Sequence, residues 1–498
     1  MNVSYLKQTE TSFFSDAKEQ LETLITQLES DDYENVEHGC VETYINEQGN
    51  EQGNELLRRL FQGWLDKKSA NEIQKSSITN ANGELLSHVR KKTKRTLTTL
   101  FGSVKVSRLS YGKPKSKSIF LADAELNLPQ DQYSDGVRNR AAKEVLKSSF
   151  DNAVESINET TGGSLPKRQS LNVTRNVAQD FESYYEQNRF ETPEDSKGIL
   201  ALSFDGKGIV MRHDSLRECT KKSAAKNKKL KTRLSPGEKK DRKRMAQVAA
   251  VYTAQPHVRT AESIMKVQTD GNVLPFKSPI INKRVWASVE RKAELVIKDA
   301  FLEALKRDPL QKREWVVLID GLPHQIKLIN KVMKKLDVRA TIVMDFIHVL
   351  EYLWKAAWCI YDKEDKSVED WIAKQAVKIL NGECSQVAKG IRQTATKRAI
   401  SNRENIDKCA DYLLKNKQRL KYGEALKAGF PIATGVIEGA CRHLINDRLD
   451  ITGARWSLKG AEAILRLRSL KSSGDFEDYW TFHKQQEKLR NYNFFEKN

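Results

Sequence analysis

The feature that most constrains this 498-residue chain is a short apolar stretch that ends on a carboxylate and a glycine. The stretch is Gly198–Lys207, and it contains Asp205 followed by Gly206. Its apolar part is too short to form a helix of its own. It predicts a buried strand that carries Asp205 to an exposed edge of a sheet.

The same pattern returns in Trp315–Gly321, where an apolar run ends on Asp320. Two such strands in one sheet would hold two carboxylates close together, and a close pair of carboxylates requires protons or metal ions between its members. A third acid, Glu438, follows much later in the chain. These three acids predict the site of a metal-dependent nuclease and strand-transfer enzyme.

Each acid also has a simpler explanation. Asp-Gly is among the commonest pairs in β-hairpin turns, so Asp205 and Asp320 could each mark a tight turn. Glu438 could form an ion pair with Arg442, four residues later on an exposed helix. The apolar runs before both aspartates favour a shared site, because no clear partner strand follows closely behind either of them.

The net charge of +19 predicts a polyanionic partner, and the charge is unevenly distributed. Residues 1–60 carry 13 acidic and 4 basic side chains, whereas residues 221–244 carry 12 basic and 2 acidic ones. A charged run is often only a solvated face, but one as one-sided as this favours sequence-independent binding to a nucleic-acid backbone. The bases of this run that we expect to contact DNA are Lys221, Lys222, Lys228, Lys229, Lys231, Arg233, Lys239, Lys240, Arg242, Lys243 and Arg244.

The length predicts two to four domains. No apolar run reaches membrane-spanning length, and the first 30 residues are too acidic and polar for a signal peptide. The six cysteines are scattered without a Cys-x-x-Cys pair, which argues against a disulfide framework or a structural zinc site. We therefore expect a cytoplasmic protein with no membrane partner.

Residues 1–90 are predicted to form an acidic helical region, in which the tandem repeat at 46–55 is expected to be a turn or a loop. Residues 91–133 are predicted to form a basic β-hairpin that turns around Gly102, followed by a linker. The hairpin could touch a phosphate backbone, or it could be a structural hairpin with a solvated lysine face.

Residues 134–195 are predicted to be helical, with a glycine-containing break at 160–166 between two helices. The second helix opens with Lys167 and Arg168. This region therefore has the outline of a helix-turn-helix that contacts DNA through these two bases. Ordinary helix packing is the alternative.

Residues 196–348 are predicted to form the first part of a catalytic core, an α/β mixed sheet flanked by helices with the general outline of an RNase H-like fold. The expected elements are strands at 198–205, 246–254, 315–319 and 340–345, and a helix at 284–307. Three further regions complete the predicted organisation, a helical insertion at 349–430, the last part of the core at 431–475 and a C-terminal tail at 476–498.

Three runs of the sequence resemble the ISKra-type transposases of bacterial insertion sequences, namely Ser203–Arg212, Lys231–Lys240 and Gly435–Arg442. The resemblance extends from about Thr96 to about Leu470. It implies a DDE transposase with an RNase H-like catalytic core. Matched position by position, the catalytic and metal-binding acids of that core are Asp205, Asp320 and Glu438.

The resemblance also implies accessory residues. Asp345–His348 is similar to the Asp/Cys-x-x-His element of Mutator-like and related transposases. Gly453–Trp456 is similar to a segment whose tryptophan stacks near the cleaved DNA end in some relatives. Simpler roles stay open for both residues. His348 could form a hydrogen bond with Asp345 at the start of a helix, and Trp456 could pack in a hydrophobic core.

Retroviral integrases, which are more distant relatives, place a base seven residues after the glutamate. That position is Ile445 in this chain. Either Arg442 or Arg448 would then substitute for the base, or no base is needed.

Such a site implies two Mg²⁺ ions, for which Mn²⁺ can substitute, with Asp205 bridging both ions and Asp320 and Glu438 each holding one. The implied activity is cleavage and strand transfer of double-stranded DNA, with the terminal inverted repeats of an insertion sequence and a target DNA as substrates. We expect a homo-oligomer on DNA in a bacterial cytoplasm, associated with the nucleoid. Two alternatives stay open, a catalytically inactive DNA-binding protein derived from a transposase and a stand-alone RNase H-like nuclease.

Overall fold

The chain divides into two compact units, and its last residues belong with its first. Unit 1 comprises Met1–Tyr184 and Phe476–Asn498, and unit 2 comprises Tyr185–Asp475. None of the helices within the described residues is long and apolar enough to cross a bilayer. The computed structural model describes residues 13–29, 38–114, 116–187, 193–226, 241–269, 279–362, 364–451 and 453–492.

Both units combine helices with strands. The strands are β1 (Ile78–Thr79), β2 (Leu85–Leu86), β3 (His88–Thr99), β4 (Gly102–Gly112), β5 (Ile199–Val210), β6 (Lys243–Ala254), β7 (Ile280–Ser288), β8 (Trp315–Ile319) and β9 (Thr341–Met344). The helices up to the start of β7 are α1 (Ser15–Leu28), α2 (His38–Ala70), α3 (Leu121–Glu125), α4 (Asp135–Val145), α5 (Phe150–Thr160), α6 (Lys167–Val177), α7 (Phe181–Gln187), α8 (Glu218–Lys226) and α9 (Ala261–Thr269). The later helices are α10 (Ala293–Arg307), α11 (Pro323–Leu336), α12 (Phe346–Ala357), α13 (Ser367–Leu380), α14 (Cys384–Lys397), α15 (Glu404–Asn416), α16 (Tyr422–Lys427), α17 (Gly435–Cys441), α18 (Asp447–Leu449), α19 (Leu458–Ser473) and α20 (Phe476–Tyr492).

In unit 1, the long helix α2 packs against an antiparallel ribbon formed by β3 and β4. Thr99 pairs with Gly102, so the turn of the ribbon is Leu100-Phe101, one residue earlier than expected. The expectation of a turn or loop at 46–55 is wrong, because this repeat lies inside α2. Each glycine costs a helix only about 1 kcal/mol relative to alanine. The apolar residues that follow the repeat in α2, including Leu65, bury themselves against the ribbon and stabilise the helix.

The C-terminal segment is the helix α20 and not the expected tail. Its Glu487 receives two hydrogen bonds from the buried Arg138 guanidinium of α4, at 2.5 and 2.8 Å. Its Arg490 donates to both carboxylate oxygens of Asp180, at 2.5 and 2.9 Å. The sequence of α20 is rich in charged residues, and these charges have partners in unit 1 that lie some 300 residues earlier in the chain.

Unit 2 contains a five-stranded mixed sheet with the strand order β7-β6-β5-β8-β9. The strands β5, β6 and β7 are antiparallel neighbours, whereas β8 runs parallel to both β5 and β9. Helix α10 packs on β6 and β5, and α19 packs on β7. The predicted mixed sheet flanked by helices is therefore confirmed.

One strand of this sheet was missed, because the helix expected at 284–307 begins only at Ala293. The residues before it form β7, in which Trp286 pairs with Ala249 of β6. The last five residues of β7 are all buried, so both faces of the strand are covered and the alternation that identifies a half-exposed strand is missing. Further along, residues 349–430 are helical and contain no strand among the residues that are described.

Candidate active site

The two aspartates come together on neighbouring strands of the sheet. In the parallel pair of β5 and β8, Leu200 lies opposite Trp315 and Ser203 lies opposite Leu318. The same register, extended by two residues, places Asp205 opposite Asp320. The expectation that the first strand ends on Asp205 is wrong, because β5 continues to Val210 through its pairing with β6.

Asp320 stands at the end of β8 on a turn that is held from two sides. Gly321 has a φ of +96°, a conformation that glycine adopts without the steric cost of a side chain. The Leu322 amide donates a hydrogen bond to Asp320 Oδ1 at 3.2 Å. The Tyr412 hydroxyl, which comes from α15 in the helical segment 349–430, donates to the backbone oxygen of Asp320 at 3.2 Å. These contacts fix the direction of the Asp320 carboxylate.

The pKa of Asp320 is affected by the nearby Asp205. Burial raises the pKa of the Asp320 carboxyl above its ordinary value, and the negative charge of Asp205 raises it further. The hydrogen bond from Leu322 and the proximity of His348 lower the pKa in part. Two carboxylates that repel each other in this way are stabilised by cations or protons placed between them.

Asp205 is engaged on both of its oxygens. The Gly206 amide donates to Oδ1 at 2.6 Å, and the Cys441 thiol donates to Oδ2 at 3.1 Å. Cys441 is buried in α17, and its burial and the charges of Asp205 and Glu438 raise the pKa of the thiol. Cys441 was not among the expected site residues. Its position three residues after Glu438, on the same face of one helix turn, is the signal that could have identified it.

Glu438 lies on α17, which packs against β5 and β6. Its Oε1 lies 3.2 Å from the hydroxyl oxygen of Thr434. The alternative ion pair between Glu438 and Arg442 is not formed, because the exposed Arg442 side chain faces Asp447 at 3.7 Å. The helix therefore lies beside β5, the strand that carries Asp205.

The three acids share one region of unit 2, but they are not yet arranged around a common point. Within the part of the chain that the structure describes, no three His, Cys, Asp or Glu side chains are grouped so as to hold a metal ion. The chemistry of the donors fits Mg²⁺, which prefers hard carboxylate oxygens. An ion shared by Asp205 and Glu438 would require Asp205 to exchange the Cys441 thiol for the metal.

Asp345 connects two helices through hydrogen bonds to its carboxylate. Its carboxylate accepts hydrogen bonds from the Ile347 amide at 3.1 Å and the Thr434 hydroxyl at 2.7 Å, and so it ties the start of α12 to the start of α17. The alternative in which Asp345 partners His348 is wrong. The His348 ring instead packs edge-on against Tyr352 and Tyr412 and reaches the neighbourhood of Asp320.

Trp456 and Arg448 belong to the core of unit 2. Trp456 is 7% exposed, and its indole Nε1 donates to the Leu449 backbone oxygen at 3.1 Å. The Arg448 guanidinium lies 4.8 Å from the centre of the indole ring, and burial lowers the pKa of Arg448 to about 10. Stacking of Trp456 on a DNA end, and a role for Arg448 as an exposed base, are therefore both contradicted by this packing.

We expect Trp456→Phe to lower the free energy of unfolding by about 1–2 kcal/mol, because it leaves the Leu449 oxygen without its buried donor. Urea denaturation measures the effect, and the exposed Trp358 provides a matched Trp→Phe control with an expected change within about 0.5 kcal/mol. Unchanged stability of the Trp456→Phe variant would contradict the view that this hydrogen bond holds the core.

The basic run has structural and exposed members. Arg244 is structural, because its guanidinium donates to the backbone oxygens of Val289 at 2.8 Å, Ser215 at 3.2 Å and Glu290 at 3.3 Å. Lys222 is exposed and Arg242 is half-buried. Two ion pairs involve other members of the run, Lys221 with Glu218 at 2.8 Å and Lys243 with Asp450 at 3.3 Å. The expected DNA contacts that lie outside the described residues are Lys228, Lys229, Lys231, Arg233, Lys239 and Lys240.

Comparisons of this chain with family models and with curated proteins find no match.

Proposed function

We propose that the protein is a DDE transposase, which cleaves DNA at the ends of an insertion sequence and joins those ends to a target DNA. The observation that carries the proposal is the register of the parallel strands β5 and β8, in which Ser203 pairs with Leu318, so that Asp205 and Asp320 each follow two residues later, with the helix of Glu438 packed on β5. The mixed sheet flanked by helices supports an RNase H-like core for this site.

The acids of this site have the chemistry that phosphodiester cleavage requires. Asp205, Asp320 and Glu438 would hold two Mg²⁺ ions, which supply a clamp on the attacking and leaving oxygens of an in-line displacement. The Leu322 amide holds the Asp320 carboxylate, and the Tyr412 hydroxyl holds the backbone of Asp320, before the substrate arrives. Such preorganisation means that the chain does not have to reorder this side chain during the reaction.

The test of this function is cleavage of a labelled duplex that carries the terminal repeats of the element. We expect nicked and joined products with Mg²⁺ or Mn²⁺ and none with EDTA. Cleavage without joined products would favour the stand-alone nuclease. Tight DNA binding without cleavage in either metal would favour the second candidate, a catalytically inactive DNA-binding protein.

One observation favours that second candidate. Both carboxylate oxygens of Asp205 already accept hydrogen bonds, from Gly206 and from Cys441. A protein that only binds DNA could keep this arrangement permanently, whereas an active enzyme has to release the thiol when metal binds. The metal dependence of cleavage distinguishes the two.

The run at 221–244 provides a prediction for DNA binding. Replacement of Lys228, Lys229, Lys239 and Lys240 by Gln should weaken binding to every DNA sequence, because phosphate contacts carry no base information. The slope of log K against log salt should fall by up to about 3.6, since each phosphate contact contributes roughly 0.9.

The control for this experiment replaces four exposed lysines of the helical segment 349–430 by Gln, so that the same net charge is removed. An unchanged salt slope in the first variant would identify the run as a solvated loop. The control lysines are Lys355, Lys408, Lys415 and Lys421.

A further inference from the structure

The β3–β4 ribbon of unit 1 carries basic residues and no acidic ones. Neither strand contains an Asp or Glu. Four of the seven Lys and Arg residues of the ribbon lie in the first seven residues of β3 and are exposed. They are Arg90, Lys91, Lys92 and Lys94. This ribbon is distinct from the run at 221–244, which belongs to unit 2.

A β-bulge presents two of these lysines. Arg90 pairs with Ser110 and Thr93 pairs with Arg108, so the two residues Lys91 and Lys92 lie opposite a single residue of β4. Lys92 has a φ of +55°, in the left-handed region that residues with a side chain seldom adopt. Bulges of this kind redirect side chains. Here the bulge leaves two consecutive lysines exposed, where regular pleating would point them to opposite faces.

The charges of these bases are not compensated within the described residues. None of the four forms an ion pair with any residue that the structure describes, and Arg90 contacts only the His88 ring nitrogen, at 3.4 Å. In contrast, Arg95 further along β3 turns inward and lies 3.5 Å from Asp123. The ribbon therefore carries two kinds of base. Arg95 stabilises the fold, whereas the four exposed bases are accessible to an anion.

The partner strand supports the bulge from behind. Residues 108–112 of β4 are buried. Arg108 forms an ion pair with the buried Asp123 at 2.9 Å, and the amide of Leu109, the residue opposite the bulge, donates to Glu72 at 2.8 Å. The backbone that carries the exposed lysines is therefore held in place by the buried contacts of β4. This reduces the entropy lost when the lysines bind a ligand.

Protection of a sheet edge is the alternative role for exposed strand lysines, because a charge on an edge strand prevents pairing with another chain. A single lysine on a regular strand achieves that protection. It does not account for three consecutive bases, nor for a lysine held in the left-handed region. Unfavourable backbone conformations are retained mainly where they serve a function.

The helix pair α5 and α6, which has the outline of a helix-turn-helix, carries no net charge. The helices α5 and α6 contain equal numbers of acids and bases, and Lys167 at the start of α6 forms an ion pair with Asp151 at 2.6 Å. The acids of the pair are Asp151, Glu155 and Glu159, and the bases are Lys167, Arg168 and Arg175. Of these two surfaces, the ribbon therefore carries more positive charge that has no ion-pair partner among the described residues.

We propose that the β3–β4 ribbon is a DNA-contacting surface, on which Arg90, Lys91, Lys92 and Lys94 bind backbone phosphates of a DNA duplex. A two-stranded ribbon is narrow enough to enter a major groove, where bases along one strand reach the phosphates at its border. The proposal rests on the proposed function in one respect, namely that duplex DNA is the substrate. It adds a second contact area, on the unit that lacks the candidate active site.

The test compares two double variants of the full-length chain, each of which removes two positive charges from unit 1. The ribbon variant is Lys91→Gln with Lys92→Gly, where glycine suits the φ of +55° and preserves the bulge. The control variant is Lys143→Gln with Lys147→Gln, two lysines of unit 1 that form ion pairs with Glu477 and Glu144. Fluorescence anisotropy with a labelled duplex of arbitrary sequence gives the affinity over a series of salt concentrations, and urea denaturation confirms that both variants fold.

We expect the salt slope to fall by about 1.8 in the ribbon variant and to stay unchanged in the control, because of these two pairs only Lys91 and Lys92 are proposed to contact phosphates. An unchanged slope in the ribbon variant would overturn the ribbon surface while leaving the transposase proposal in place. An equal fall in both variants would also overturn it, since any two charges would then suffice. Absence of duplex binding by the unmodified chain at low salt would instead overturn the proposed function itself, and the ribbon surface with it.

Discussion

Asp205→Asn and Asp320→Asn should each lower the rate of metal-dependent DNA cleavage by at least about a thousandfold. An amide has the shape of the carboxylate but lacks the negative charge that holds a divalent cation, and the loss of several kcal/mol of transition-state stabilisation corresponds to at least about three powers of ten in rate. Binding of duplex DNA should persist, because the bases that we propose to contact phosphates lie elsewhere. Single-turnover cleavage and anisotropy measure the two properties on the same sample.

Glu438→Gln should behave in the same way if its helix brings it to the metals. The matched control is Asp337→Asn, at an exposed position after α11 where the left-handed φ of +50° suits asparagine. Near-normal cleavage by any one of the three site variants would show that its acid is wrongly assigned. A general loss of cleavage in the control would point to a folding defect instead.

Arg138→Ala should lower the free energy of unfolding of unit 1 by about 3–5 kcal/mol, because it leaves the Glu487 carboxylate without its buried partner. The Arg138 side chain is only 1% exposed, and it makes a two-point contact with Glu487 that ties α20 to α4. Urea denaturation measures the change. The exposed ion pair of Lys167 with Asp151 provides the control, since Lys167→Ala should cost at most about 1 kcal/mol.

A double replacement separates the charge pair from the packing. Arg138→Met combined with Glu487→Leu removes both charges and keeps apolar volume, so it should recover most of the lost stability. A cost below about 1 kcal/mol for Arg138→Ala alone would contradict the view that this buried pair holds α20 in place.

The strands that carry the two aspartates could be predicted because their signal is local. A short, wholly apolar run is typical of a buried strand, and the runs before Asp205 and Asp320 form β5 and β8. The same reasoning failed for β7, where Trp286 and its neighbours are buried on both faces and resemble the apolar side of a helix. Periodicity cannot distinguish a fully buried strand from a buried helix segment.

Contacts between distant residues account for the other errors. Trp456 follows a basic residue and resembles a stacking platform, but its indole hydrogen bond to Leu449 and the Arg448 guanidinium over its ring place it in the core. The C-terminal residues are rich in charges and were expected to form a tail. Their partners Arg138 and Asp180 lie in a part of the chain whose connection to α20 no local pattern predicts.

By itself, the sequence determined which residues can form strands and which acids and bases are available, because these properties depend on short-range patterns and on composition. Only the tertiary structure decided which of these side chains meet. The parallel pairing of β5 with β8 brings Asp205 close enough to Asp320 for its charge to raise the pKa of Asp320, and the thiol of Cys441 reaches Asp205 from a helix more than 200 residues away. Pairing across such separations depends on the packing of the whole unit, and for that reason no stretch of the sequence alone contains it.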